Sequence, residues 1–318
     1  MGGRRRSRTI ARVISVVIPV RNGGSELRRC LEGVASQRLD EEVEVVVIDS
    51  SSTDGSADLA RSFGARVLEI AAPDFTHGGS RNLGAREARG DLLVFTSQDA
   101  YAEDATWLAT LRRAFSGEEP VAGVYGRQLA HRGSSPPEEY FLEFLYGADG
   151  RDQRLVDDEA PSMRTTLFSN VNSAIPRSVW EQYPFVEDII MSEDQEWSLR
   201  ILRAGRTIRY VPEAAVRHSH QYTVASAMRR FFDSGVSAER TYLAGAQPSS
   251  RVLRREALAY ARGEIEWLWR TDRRRWLPYS IVYESAKFVG LQLGAHHRYL
   301  PSWLKYRLSE HKAYWAAG

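Results

Sequence analysis

Gln98-Asp99-Ala100 follows the apolar run Leu92–Thr96, so a core strand ends on a carboxylate. A carboxylate there supplies a hard oxygen ligand suited to Mg2+ or Mn2+. His218 and His220 stand two residues apart and share a face if the segment is extended; either could complete a metal shell or hydrogen-bond a phosphate. Solvation or packing is the plain alternative for such a His-Ser-His. Asp49 ends another apolar run, where it can meet a ligand or cap the next helix. Asp54, just before "GSADLARSF", suits capping better. Arg81 follows Gly78 and Gly79, which permit close backbone approach. It opens a helical stretch whose amides favour anions, and its fork matches phosphate oxygens, with His77 nearby. Glu193, Asp194 and Glu196 cluster at the start of a second helical pattern. One such carboxylate suffices as a general base, although acids at a helix start are often only dipole partners. In "SNVNSAIP", Asn170 and Asn172 fall on one strand face, where small polar groups could bind hydroxyls. Trp180 and Trp197 read as core.

These residues need elements to position them. Val13–Val20, Val43–Ile48, Arg66–Ile70 and Leu92–Thr96 are short apolar runs, separated by segments with helical spacing such as Leu27, Cys30, Leu31 and Val34. Unbroken apolar strands alternating with helices predict an α/β fold with a mostly parallel central sheet covered on both faces. Ligands in such sheets sit beyond the carboxyl ends of the strands. The loops "PVRNGG", "DSSSTDGS" and "TSQDA" therefore open on one rim, which gives Asp49 and Asp99 a common neighbourhood. Residues 131–140 and 148–162 read as loops, "SEDQEWSLRILRAG" as a helix ended by Gly205, and "TIRYVPEAAVRHSH" as strand, turn, strand. From Tyr222 onward the chain is mainly helical, aromatic and Arg-rich.

The net charge of +2 over 318 residues hides an uneven distribution. Residues 1–12 carry five Arg and no acid, residues 223–318 carry +8, and residues 13–222 therefore hold −11. An acidic middle suits a site that handles cations; a basic tail suits something anionic. Cys30 is the single cysteine, which rules out an intrachain disulfide and favours a reducing compartment. "VISVVIPV" is too short for a membrane span, lacks a signal-cleavage pattern, and reads as a first strand.

The pieces "SVVIPVRNGG", "VVVIDSSSTDGS", "FTHGGSRNLGA", "FTSQDA", "SNVNSAIPRSVW", "SEDQEWSLRILRAG" and "VRHSHQYT" resemble, in order, an inverting GT-A glycosyltransferase of family 2, rhamnosyltransferase-like branch. The resemblance covers roughly residues 13–222, and "YESAKFVGLQLG" with "LSEHKAYW" is similar to that branch's tail. It implies a GT-A fold and Asp194 as catalytic base. It places Asp49 at the nucleobase, Pro19, Val20 and Asn22 around base and ribose, and His77, Arg81, Gln98, Asp99 and Asn172 in donor binding. It further implies Mg2+ or Mn2+ on Asp99 with His218, or His220. Gln98 replaces the first aspartate of the family's Asp-X-Asp motif, which leaves a metal short of one carboxylate.

The implied reaction moves L-rhamnose from dTDP-rhamnose to a hydroxyl of a glycan or lipid-linked acceptor. A different UDP- or GDP-sugar donor is the first alternative, and a non-catalytic nucleotide-sugar or polysaccharide-binding protein the second. A dinucleotide-dependent oxidoreductase is excluded because "PVRNGG" stands where G-x-G-x-x-G would. A nucleic-acid binder would gather the Arg excess into a defined module, and none is present. The reading divides the chain into a basic tail (1–12), a catalytic domain (13–222) and a helical C-terminal region (223–318). It predicts a cytoplasmic, non-secreted protein. Trp267, Trp269 and Trp276 interleave with Arg273, Arg274 and Arg275, which suits the inner membrane face, homodimer packing, or a simple helical cap.

Overall fold

The computed structural model describes residues 13–117, 119–155, 161–238, 240–241, 243 and 251–316. The basic tail 1–12 and residues 156–160 of the second loop lie outside them. In chain order the first half runs β1 (Val13–Val20), α1 (Gly24–Ala35), β2 (Glu42–Ser50), α2 (Ser56–Ser62), β3 (Arg66–Ile70), α3 (His77–Glu87) and β4 (Leu92–Thr96). There follow β5 (Tyr101–Ala102), α4 (Trp107–Arg113), β6 (Val121–Leu129), α5 (Pro136–Leu145), β7 (Arg151–Gln153), β8 (Asn172–Pro176), α6 (Arg177–Gln182), α7 (Glu193–Arg203) and β9 (Thr207–Arg217). Helices α8 (Val224–Ala238), α9 (Arg251–Arg270), α10 (Leu277–Ala295), α11 (Ser302–Leu308) and α12 (Lys312–Ala316) complete the described chain.

The strands form one sheet in the order β3-β2-β1-β4-β8-β6-β9-β5, with β7 paired to β9. The half β3-β2-β1-β4 is parallel, as the alternating pattern predicts. Beyond it the sheet is mixed: β8 runs antiparallel to β4 and β6, and β6 is parallel to β9. Both faces are covered, so the strands can be apolar throughout. Val17, Val46, Ile48, Leu93 and Phe95 face one core with Trp180, Trp197 and Ile201. Ile14, Val16, Ile18, Val47 and Val94 face the other with Leu27, Cys30, Leu31 and Trp107. Each such side chain contributes about 2 kcal/mol by leaving water. Helix α3 crosses β1 and β2 at Gly84, where any Cβ would run into Val17 and Ile48.

The segment from Thr207 differs from the predicted strand, turn, strand. It is one strand, with Gly126 opposite Val211 and Gln128 opposite Val216, so the bulge absorbs Pro212 without breaking the element. The loop 148–162 also holds a short strand, β7, antiparallel to β9.

Candidate active site

A cleft of about 410 Å³ opens where β4, β6 and β9 end, and it extends beneath α8. Its first cluster is made by the smallest strand. Pairing of Tyr101 with Arg217 holds the loop after β4 against the residues that follow β9. Asp99 and the pair His218 and His220 consequently converge. An Asp99 carboxylate oxygen is 3.6 Å from His218 Nε2 and 3.6 Å from His220 Nδ1. One ligand atom from each lies within 4.8 Å of the other two, close enough to hold one metal ion.

The protonation states favour ligation. Burial lowers the affinity of both imidazoles for a proton, that of His220 to about 3, and leaves their lone pairs free. Burial opposes the charge on Asp99, yet its carboxyl stays below the usual range, with a backbone hydrogen bond among the influences that hold it there. Gln128, not singled out by the sequence reading, orients His218. Its amide nitrogen donates to Tyr146 (2.7 Å) and Ser169 (2.9 Å), so its oxygen faces His218 Nδ1 at 2.9 Å. That carbonyl requires a proton on Nδ1 and directs the Nε2 lone pair toward Asp99. One carboxylate oxygen and two imidazole nitrogens fit a divalent metal with a taste for mixed donors.

The second cluster sits at the start of α7. Ser192 precedes the helix in the left-handed region (φ 63). Glu193 pairs with Arg81 at 3.1 Å and accepts from the Asn170 side chain at 3.0 Å. Burial works against its charge, yet the Arg81 guanidinium and the Asn170 hydrogen bond hold its pKa below the ordinary value. Asp194 accepts instead from the backbone N–H of Asn170 (3.0 Å) and of Gln195 (2.8 Å). Burial, reinforced by Glu193, pushes its pKa up to about 7. A carboxyl titrating there can take a proton near neutral pH.

Arg81 lines the cleft with its Nη1 held by Glu193 and the His77 carbonyl, while its Nε is buried with no partner among the described residues. Gly78 does allow a close approach, but to the Val186 carbonyl. His77 stacks edge-on against Phe75 and His311, and burial lowers its pKa to about 3. Its Nε2 is buried with no partner among the described residues.

The remaining predicted residues stand beside the cleft or away from it. Pro19, Val20, Asn22, Asp49 and Gln98 do not line it; they shape the adjoining ends of β1, β2 and β4. Asn22 accepts from Thr53 N–H and donates its own N–H to Ser52, each at 2.8 Å. Asp49 Oδ1 accepts from Ser52 N–H at 2.8 Å, while Oδ2 is buried with no partner among the described residues. Gln98 forms a two-way pair with the Arg21 backbone, at 2.8 and 3.2 Å, and so joins the loops rather than reaching the metal-ligand cluster. Asp54 stands one residue before the Gly55 N-cap of α2, where it accepts from the Ser56 N–H and hydroxyl and, across the loops, from the Gly24 N–H. Asn172 does not face the cleft: it is fully buried, accepts from Trp107 Nε1 and donates to the carbonyls of Arg127 and Ala214. Cys30, predicted as core, is buried.

Arg230 of α8 is the other residue that the sequence reading passed over. Among the described residues of the cleft, Arg81 and Arg230 are the two with permanent positive charge. Arg230 has no carboxylate partner there; its Nη1 donates to the Met191 sulfur at 3.1 Å. The basic excess after residue 222 was its one signal, and that excess does not separate a cleft residue from a surface one.

The family model Glycosyl transferase family 2 matches residues 15–170. The O-antigen chain rhamnosyltransferase RfbN of Salmonella typhimurium is 32% identical over 306 residues, covering 95% of this chain and 96% of the relative. The O-antigen chain rhamnosyltransferase WbaN of Salmonella anatum is 31% identical over 304 residues, 95% of each chain. Among solved structures, the mannosyltransferase PcManGT from Pyrobaculum calidifontis, in complex with GDP-Man and Mn2+, superimposes with a TM-score of 0.54 at 17% identity over 96% of this chain and 85% of that one. That likeness shows the same GT-A fold. With the cleft at the strand ends and a relative 32% identical along nearly its whole length, the chain belongs to glycosyl transferase family 2 and is a glycosyltransferase.

Proposed function

We propose that the chain transfers L-rhamnose from dTDP-rhamnose to a hydroxyl of a glycan or lipid-linked acceptor, with inversion, using Asp194 as the base. The sugar rests on the similarity to two O-antigen chain rhamnosyltransferases. The chemistry rests on one observation: Asp194, with its pKa raised to about 7, shares a cleft with Asp99, His218 and His220. In this reading residues 13–222 carry the donor and metal sites, and the helical region 223–318 completes the cleft through Arg230.

The acceptor hydroxyl attacks the anomeric carbon and gives its proton to the Asp194 carboxylate. The bond from that carbon to the diphosphate oxygen breaks, and the electron pair leaves with the diphosphate. Glu193 stays ionised on Arg81 and keeps the affinity of Asp194 for that proton high. Asp99, His218 and His220 would hold a divalent cation, which supplies Lewis-acid stabilisation of the diphosphate when bound. Two imidazole nitrogens favour Mn2+ over Mg2+. With one carboxylate in the set, such a site keeps a net positive charge, and Arg230 adds a second cation for the departing group. Asp49, with a free buried oxygen, suits a nucleobase N–H.

A donor panel tests the reading: full chain, Mn2+ or Mg2+, and dTDP-, UDP- and GDP-sugars, with released nucleoside diphosphate as readout. Preferred turnover of dTDP-rhamnose is the expected result. Preference for a UDP- or GDP-sugar replaces the donor, and no turnover of any donor with acceptor extracts returns the chain to the binding-protein alternative.

A further inference from the structure

The exposed large apolar side chains of the described residues are not scattered: all of them lie between Leu258 and Tyr314, and none lies in the earlier chain. On α9, Leu258, Ile265 and Trp269 recur at helical spacing on one exposed face, beside the face that buries Glu264, Trp267 and Leu268. On α10, Ile281, Val282, Phe288 and Val289 form a second stripe, with Phe288 and Ile281 55% and 62% exposed. The opposite face of α10 is buried, through Tyr283, Lys287, Gly290 and Gly294. A monomer whose outer helices are apolar on both faces leaves a surface that water covers poorly.

The charge beside these stripes identifies the occupant. Between Leu258 and Val289 the exposed charged residues are Arg262, Arg270, Arg274 and Arg275 against Glu266 and Asp272. Arg274 and Arg275 lie in the turn between the helices, and the Arg274 guanidinium lies over the exposed Trp269 ring, 5.6 Å from its centroid. A two-fold contact would set this basic patch against its own copy. A surface of anionic lipid complements both the cations and the apolar stripes. No helix among the described residues is long and apolar enough to cross a membrane, so attachment through this face is lateral.

We propose that the outer faces of α9 and α10, with the Arg274–Arg275 turn between them, dock the protein on an anionic bilayer surface. This does not depend on which sugar is transferred. The test is flotation of the full chain with vesicles of phosphatidylcholine alone or of equimolar phosphatidylcholine and phosphatidylglycerol. Binding is expected only to the mixed vesicles and weakens as salt rises. Arg274→Gln with Arg275→Gln should weaken it about 30-fold. Phe288→Asp should abolish it at an unchanged melting temperature. The Arg-rich residues 1–12 are the same in all variants, so a loss reads the α9–α10 surface. Equal flotation of wild type and the double Arg variant, or none at all, overturns the proposal. So does a concentration-dependent dimer by light scattering that Phe288→Asp breaks. If Phe288→Asp does not fold, the Arg variant alone decides.

Discussion

Glu193 and Asp194 are neighbours in the chain, yet the fold drives their proton affinities apart: Arg81 neutralises Glu193 at 3.1 Å, while Asp194 bears the burial and the neighbouring charge. Two adjacent carboxyls with separated pKa values divide into a fixed anion and a proton acceptor.

Asp194→Asn should lower turnover about 10²–10⁴-fold while leaving nucleotide affinity nearly unchanged. Steady-state kinetics and calorimetric titration with dTDP and UDP measure the two separately. Survival of turnover would move the base elsewhere.

The pH dependence has a definite sign. The Asp194 pKa is raised from 3.8 to about 7 on folding, so the stability tied to its proton is complete below about pH 4 and is lost as pH climbs through 7. Asp194→Asn should therefore raise the melting temperature more at about pH 9 than at about pH 5. In the wild type, kcat/KM should rise through about pH 7 as the base ionises. Glu193→Gln removes the neighbouring charge and should move that limb to lower pH.

Gln128→Leu removes the carbonyl that fixes the His218 tautomer. Mn2+ binding, followed by electron paramagnetic resonance, should weaken about 10–100-fold. Asp99→Ala should remove it. Unchanged affinity in both variants would detach this cluster from metal binding.

Arg230→Ala should lower kcat about 10²–10³-fold, with partial recovery in Arg230→Lys, because a charge aimed at the leaving group acts most strongly in the transition state. An equal effect on KM alone would make Arg230 a ground-state contact.

Gly84→Ala should cost about 1–3 kcal/mol, since its methyl would enter space filled by Val17 and Ile48. Chemical denaturation measures it.

The parallel half of the sheet was legible because β1, β2 and β4 are apolar on both faces, a pattern that neither a half-exposed strand nor an amphipathic helix produces. The shared rim followed from topology and put Asp49 and Asp99 at neighbouring strand ends, whereas the meeting of Asp99 with His218 and His220 depends on the β5–β9 pairing, which strand alternation does not reveal. Asn172 was misread because alternation says which residues share a face but not which face meets the cleft; packing against Trp107 decided that. Arg81 was recognised as a cleft residue, but its pairing with Glu193 depends on a helix more than a hundred residues away. Pro212 looked like a turn because a bulge that tolerates proline leaves no local mark. Gln128 and Arg230 acquire meaning only from what surrounds them.

Helices α8 and α10 approach to backbone contact at three glycines. A Cβ on Gly235, Gly290 or Gly294 would strike the backbone of the opposite helix. The same α8 carries Arg230, Phe231 and Ser234 into the cleft. The α8 wall of the cleft and the outward stripe of α10 are thus the two sides of one thin slab. A slab of that kind has little freedom to slide or tilt internally, so whatever plane fixes its outside also fixes the heading of the cleft mouth. An enzyme seated that way would search for a surface-bound acceptor in two dimensions with its reactive groups already aimed, and the encounter would be limited by lateral diffusion rather than by tumbling.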